Sequence, residues 1–255
     1  MRRLAVIAAV SFLVAGCSPS APGSQRPITE LTVFAASSLS AAFTQLGTDF
    51  QEERPDIKVV FNFGSSTDLA HQISSEGTAD VFASASGSAM DTVAAEPGVS
   101  DRANFATNHL VIITPPDNPA GVVSLDSLTS PMAIVIGAEG VPVGDYTRQM
   151  LDAEGLEHAV LTNVVSNEPD DASIVAKVES GEVDAGIVYA SDIPITAGKV
   201  HTVEIPLRIN ITATYPIAVV SGSEHEADAR AFVAFVLGDH GQVVLDSHGF
   251  DPPPG

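Results

Sequence analysis

Two short serine clusters carry the most visible chemistry of this chain. Ser37-Ser38 follows the apolar run Leu31-Thr-Val-Phe-Ala-Ala36, and Ser65-Ser66 follows Ile57-Lys-Val-Val-Phe-Asn-Phe63 and Gly64. Each run reads as a buried strand, and each serine pair opens an amphipathic segment that reads as a helix, over 38–53 and 67–76. The first backbone N–H groups of a helix have no intrahelical acceptor, and the macrodipole places about half a positive charge there. A serine hydroxyl adds a neutral donor. Two such ends on neighbouring strands can converge on one small oxyanion. Serine is also a favoured N-cap in any α/β protein, so the spacing alone leaves cap and ligand contact both open.

The elements that would position these serines alternate along the chain. Strands are expected at 31–36, 57–63, 80–83, 109–114, 132–136, 160–165, 184–189, 200–205 and 215–220, and helices at 38–53, 67–76, 86–95, 144–154, 171–180, 224–237 and 239–247. That alternation predicts an α/β fold of right-handed βαβ units with mainly parallel sheets. Two extended, proline-marked segments, 111–120 and 205–216, read as crossings between lobes. The expected division is lobe one at 29–108 plus 217–255 and lobe two at 109–216. Ligands of open α/β sheets sit beyond the carboxyl ends of the strands, which puts the site in the cleft between the lobes.

Length and address bound the rest. The chain has 255 residues, and Arg2-Arg3 followed by an apolar stretch from Leu4 to Ala15 and Leu13-Val-Ala-Gly-Cys17 reads as a lipoprotein signal over 1–16, cut before Cys17. The apolar stretch is too short to span a bilayer. Cys17 is the single cysteine, so no disulfide forms within a monomer, and residues 17–28 have the composition of a lipid-anchored tether. The expected location is the outer face of the cell membrane, held by the lipid alone. Loss of the two signal arginines takes the formal net charge from −21 to −23, a surface that repels nucleic acid and anionic lipid.

Six motifs in order along the chain carry a resemblance: Phe34-Ala-Ala-Ser-Ser-Leu39, Phe63-Gly-Ser-Ser-Thr-Asp-Leu-Ala-His-Gln-Ile73, Ala79-Asp-Val-Phe-Ala-Ser-Ala85, Val141-Pro-Val-Gly-Asp-Tyr146, Gly186-Ile-Val-Tyr-Ala-Ser-Asp192 and Tyr215-Pro-Ile-Ala-Val-Val220. Over about 31–250 the chain resembles the periplasmic molybdate-binding proteins, the solute-binding components of molybdate ABC transporters, which have the two-lobed type II periplasmic-binding-protein fold. The resemblance implies a monomeric receptor without a cofactor that binds molybdate, and tungstate alike, and delivers it to a permease and its ATPase. It places oxyanion contacts, not direct metal ligands, at Ser38 and Ser66 through hydroxyl and N–H, at the backbone N–H of Val143 and Asp171, and at the Tyr189 hydroxyl. The family usually has a small residue at Val143, an apolar one at Asp171, and Ser-Ala-Asp where this chain has Ser84-Ala-Ser86. A carboxylate facing a dianion is costly, so the Asp171 side chain is expected to turn away and favour its own helix N-terminus.

Rival chemistries are poorly served. The mature chain has no Gly-x-Ser-x-Gly elbow and no Ser-x-x-Lys for a serine hydrolase. Its seven histidines show no His-x-x-x-His spacing for a transition metal. Sulfate and phosphate remain open as alternative oxyanions, because selection among tetrahedral anions depends on cavity size.

Overall fold

The computed structural model describes residues 28–77 and 79–253. The expected signal at 1–16, and the tether up to residue 27 with Cys17, lie outside them. The chain begins with β1 (Thr29–Ala36), α1 (Ser40–Glu53), β2 (Ile57–Gly64), α2 (Ser66–Glu76), β3 (Val81–Ala83), α3 (Gly87–Ala95) and β4 (Val99–Asn108). It then passes at His109 into β5 (Leu110–Thr114), β6 (Ile134–Gly137), α4 (Pro142–Ala153), α5 (Glu157–Leu161), β7 (Val164–Glu168), α6 (Asp171–Glu179), β8 (Ala185–Tyr189) and β9 (His201–Glu204). It returns as β10 (Ala213–Val220), α7 (Glu226–Leu237) and α8 (Asp239–Ser247).

Two five-stranded sheets result, ordered β2-β1-β3-β10-β4 and β7-β6-β8-β5-β9. Both are mixed rather than mainly parallel. β1 runs parallel to β2 and β3, and β6 runs parallel to β7 and β8. The antiparallel pairings all involve β10 and β5. These are the strands that arrive directly from the other sheet, with no crossover helix to force a parallel course. β10 pairs with β4 from Ala213 onward, ahead of Ile217. The first passage lies at His109, and the prolines of 115–119 follow β5 rather than forming the crossing.

Helix packing fixes the ends of the parallel strands. α1 buries Ala42, Phe43, Leu46, Gly47 and Phe50 as one stripe, and Phe43 and Phe50 meet Phe232 of α7 with ring centroids 6.2 and 5.3 Å apart. Edge-to-face pairs of this kind are worth about 0.5–1.5 kcal/mol each beyond area burial. α2 ends at Gly77, whose left-handed φ of +64° places its N–H on the carbonyl of Ile73. Two elements differ from the sequence expectation. β4, Val99–Asn108, starts in the polar run Val-Ser-Asp-Arg and has an exposed first half on the sheet edge, so it lacks the apolar alternation that marks a half-buried strand. The segment 160–165, expected as one strand, is split between the end of α5 and the start of β7.

Candidate functional site

The strand-to-helix turns of both sheets open onto one small cavity. Its wall is formed by Ala36, Ser37 and Ser38 after β1, Gly64, Ser65 and Ser66 after β2, Ala85, Val141 to Val143 before and within α4, Asp170 and Asp171 at α6, and Tyr189 at the end of β8. Its free volume is about 10 Å³, room for about one water molecule. All five residues predicted as oxyanion contacts, Ser38, Ser66, Val143, Asp171 and Tyr189, stand on this wall, and no lysine or arginine does.

Each contributes donors for a local reason. Val143 is the second residue of α4, after Pro142, which has no N–H and occupies the first helical position. Its amide is thereby the first one the helix presents. Gly144 follows because nothing larger fits: a Cβ there would lie 2.1 Å from the carbonyl oxygen of Ala138 and 2.4 Å from that of Gly137. The glycine lets α4 start directly against the end of β6.

Ser66 is the first residue of α2, capped in sequence by Ser65, whose side chain makes no capping bond. The Ser66 hydroxyl accepts from the amide of Ala85 at 2.9 Å, which leaves its own proton to donate. Ser38 lies in a 3-10 turn, Ser37–Leu39, and its Oγ is 3.1 Å from the phenol oxygen of Tyr215. Asn108 Nδ2 reaches the same phenol oxygen at 3.4 Å and donates to Ser191 Oγ at 2.7 Å. With the amide donating to the phenol and the phenol to the serine, the Ser38 proton too is left for the cavity. Asn108 and Tyr215 belong to β4 and β10, so this chain of polar groups runs through the two strands next to the crossings.

Among the described residues, three buried side-chain atoms lack a hydrogen-bond partner: Ser65 Oγ, Asp171 Oδ2 and Tyr189 Oη. All three belong to residues of this one wall. Unpartnered buried polar atoms are rare and costly, and their concentration here marks a place built to be filled. Burial holds the phenol of Tyr189 well above its usual pKa, so it stays a donor.

Asp171 departs from the expectation. The cap of α6 is Asp170, whose Oδ1 accepts from Ser173 N at 2.8 Å. The Asp171 carboxyl accepts from Ser37 Oγ across the cleft, its other oxygen has no hydrogen-bond partner, and burial raises its pKa, with the charge of the buried Asp192 coupled to it. The N-terminal capping position was already taken by its neighbour, which frees Asp171 to face inward. Ser37 and Ser65 also line the cavity, although the sequence reading chose only the second serine of each pair. Asp192 and Tyr215 stand behind the wall, and nothing in their local sequence signals it.

The family of bacterial extracellular solute-binding proteins matches residues 31–251. Over 253 residues the chain is 38% identical to the molybdate-binding protein ModA of Mycobacterium tuberculosis, covering 95% of each. It is 31% identical over 252 residues to that of Escherichia coli, again covering 95% of each. Among solved structures, the periplasmic molybdate-binding protein of Azotobacter vinelandii superposes with a TM-score of 0.77 at 21% identity, covering 88% of this chain and 100% of that one. The sulfate-binding protein SubI of M. tuberculosis superposes equally well, at 0.77 with 18% identity and coverage of 88% and 87%. The last two likenesses establish the two-lobed periplasmic-binding-protein fold and do not discriminate between anions. From the family match and its curated relatives, the chain belongs to the bacterial extracellular solute-binding protein family, alongside that family's molybdate-binding proteins.

Proposed function

We propose that this protein is the extracytoplasmic receptor of an ABC transporter, that it captures molybdate and tungstate, and that it hands them to a permease and its ATPase. The observation that carries the reading is the convergence of neutral donors on one cavity: the hydroxyls of Ser38, Ser65, Ser66 and Tyr189, with the amides at the starts of α2, α4 and α6. The relatives named for molybdate binding support the choice of anion. In this reading Ser38, Ser66, Val143, Asp171 and Tyr189 contact oxyanion oxygens. The lobes are 29–108 with the chain from about 213 onward, and 109 to about 212, the return falling where β10 begins to pair with β4, and they close about the two crossings so that both sets of donors meet one anion. No bond is made or broken.

Calorimetry of the purified protein against molybdate, tungstate, sulfate and phosphate tests the assignment. Molybdate and tungstate are expected to bind alike, and sulfate much more weakly. Because the anion is held by dipoles, each bond strengthened by the ionised acceptor, affinity is expected to survive an increase to roughly molar salt, where long-range charge attraction is screened out. A hundredfold loss over that range would place lysine or arginine in the site and overturn the dipole reading.

The address forms part of the same proposal. A lipid on Cys17 would hold the protein at the membrane surface as a tethered monomer, and no helix among the described residues is long and apolar enough to cross a membrane. Expressed in a bacterium, the intact chain is expected to fractionate with membranes, and Cys17→Ala is expected to lose that association. Mass spectrometry showing an unmodified Cys17 on the mature protein would refute the anchor.

A further inference from the structure

The reading of the cavity as an oxyanion site leaves one wall group without a role, and that group is an acid. Asp171 is 4% exposed, its Oδ1 accepts from Ser37 Oγ, and its Oδ2 has no partner while the residue faces the cavity. Asp192, 2% exposed, lies behind it and accepts the Tyr189 amide at 2.9 Å through Oδ2. Two buried carboxyls that feel each other's charge, with no cation beside them, do not both ionise, since burial and like charge each favour a protonated form. The other titratable groups facing the pair are Asp170, Tyr189, Tyr215 and Tyr146. None of them is a cation that could neutralise an ionised Asp171 beside a dianion.

We propose that the Asp171 side chain is itself an anion contact, donating a protonated Oδ2 to the captured oxyanion, so that one proton enters the Asp171–Asp192 pair for each anion bound. Without the anion the pair carries one proton, which stays on Asp192. On binding, a second proton from solvent settles on Asp171 Oδ2 and points into the cavity, where an unpartnered acceptor would otherwise repel the ligand. Burial raises both carboxyls, Asp192 the more strongly, which places this second protonation closer to neutral pH than an ordinary aspartate allows. The amide at Asp171 and the carboxyl are then two donors from one residue. Where an apolar side chain would be indifferent to pH, this one makes capture proton-linked.

The test is molybdate affinity of the purified protein across about pH 6 to 9, with proton uptake read by calorimetry in two buffers of different ionisation enthalpy. The wild type is expected to weaken by up to about tenfold per pH unit above the titration of the pair, with about one proton taken up per anion. Asp171→Asn, which keeps a donor at the same place, is expected to bind with flat pH dependence and no proton uptake, and to surpass the wild type at the alkaline end. Ser37→Ala removes the hydroxyl that favours ionised Asp171, so its loss of affinity is expected to begin at higher pH. That variant decides the matter if Asp171→Asn fails to fold. PH-independent wild-type binding without proton uptake, or an Asp171→Asn protein that keeps the wild-type slope, overturns the proposal and leaves the oxyanion receptor standing. A wild type that binds molybdate at no pH overturns both.

Discussion

Gly144→Ala is expected to unfold this protein about 4–8 °C lower than the wild type and to abolish tight molybdate binding. The added methyl would have to occupy space 2.1 and 2.4 Å from two backbone carbonyl oxygens, those of Ala138 and Gly137. Neither is a flexible side-chain end that can swing aside. Alanine favours a helix over glycine by about 1 kcal/mol, but forced overpacking against backbone costs about 3 kcal/mol, and for a chain of this size each kcal/mol moves Tm by roughly 2–4 °C. The helix can relieve the clash only by lifting its first turn off β6, and that turn carries the Val143 amide. Gly140→Ala is the control. It has a left-handed φ of +83° but nothing within 4 Å of the new methyl, so strain alone should cost about 1 kcal/mol and affinity should fall little. Differential scanning calorimetry with and without molybdate distinguishes the two. Near-native melting for Gly144→Ala would mean that α4 is not seated on β6 as described.

Ser38→Ala and Ser66→Ala are each expected to lose about ten- to a hundredfold in molybdate affinity, the equivalent of a hydrogen bond to a charged acceptor at about 1.5–3 kcal/mol. A serine that merely caps a helix would behave otherwise, lowering stability by about 0.5–2 kcal/mol with no change in affinity. Neither hydroxyl caps its own helix: Ser38 meets Tyr215 and Ser66 accepts the Ala85 amide. Ser66→Ala therefore carries a stability cost as well, about 1–3 kcal/mol for leaving that buried amide unpaired. Ser65→Ala should show the opposite balance. Its hydroxyl has no partner, so removal is expected to raise the melting temperature of the unliganded protein while weakening binding. Unchanged affinity in all three variants would return the serines to a purely structural role.

Much of the architecture is legible in the chain because apolar runs and serine-headed helices recur in a fixed grammar. Strands β1, β2 and β8 and helices α2, α7 and α8 fall where periodicity puts them, within a few residues at each end. β4 escaped because an edge strand paired on one side needs little apolar alternation, and its identity comes from its pairing with β10. At the site, the two serine pairs announce themselves through strand ends and helix starts, while Val143 and Tyr189 are named by the family resemblance alone. The direction of Asp171 is different in kind. Asp170 and Asp171 are adjacent and chemically identical, and which of them caps α6 is decided by the angle at which the chain leaves β7. The partner that makes Asp171 consequential, Asp192, is distant in sequence and lies next to it only after β8 has been laid beside β6.

The joins across the cleft also govern time. Ser38, Ser66, Val143 and Tyr189 are all at most 7% exposed, and the lobes are joined across the cleft by Ser37 with Asp171 and by Thr67 Oγ1 donating to the carbonyl of Gly140 at 2.6 Å. An anion held by donors of both lobes leaves most readily when these joins part, since parting them withdraws the donors of one lobe together. Departure is then a first-order opening event of the protein, and dwell time is a property of the hinge strands and the latch. A permease that grips both lobes and spreads them would shorten that dwell time by orders of magnitude without touching a single donor, so tight capture outside the cell and rapid surrender at the membrane need not compromise each other.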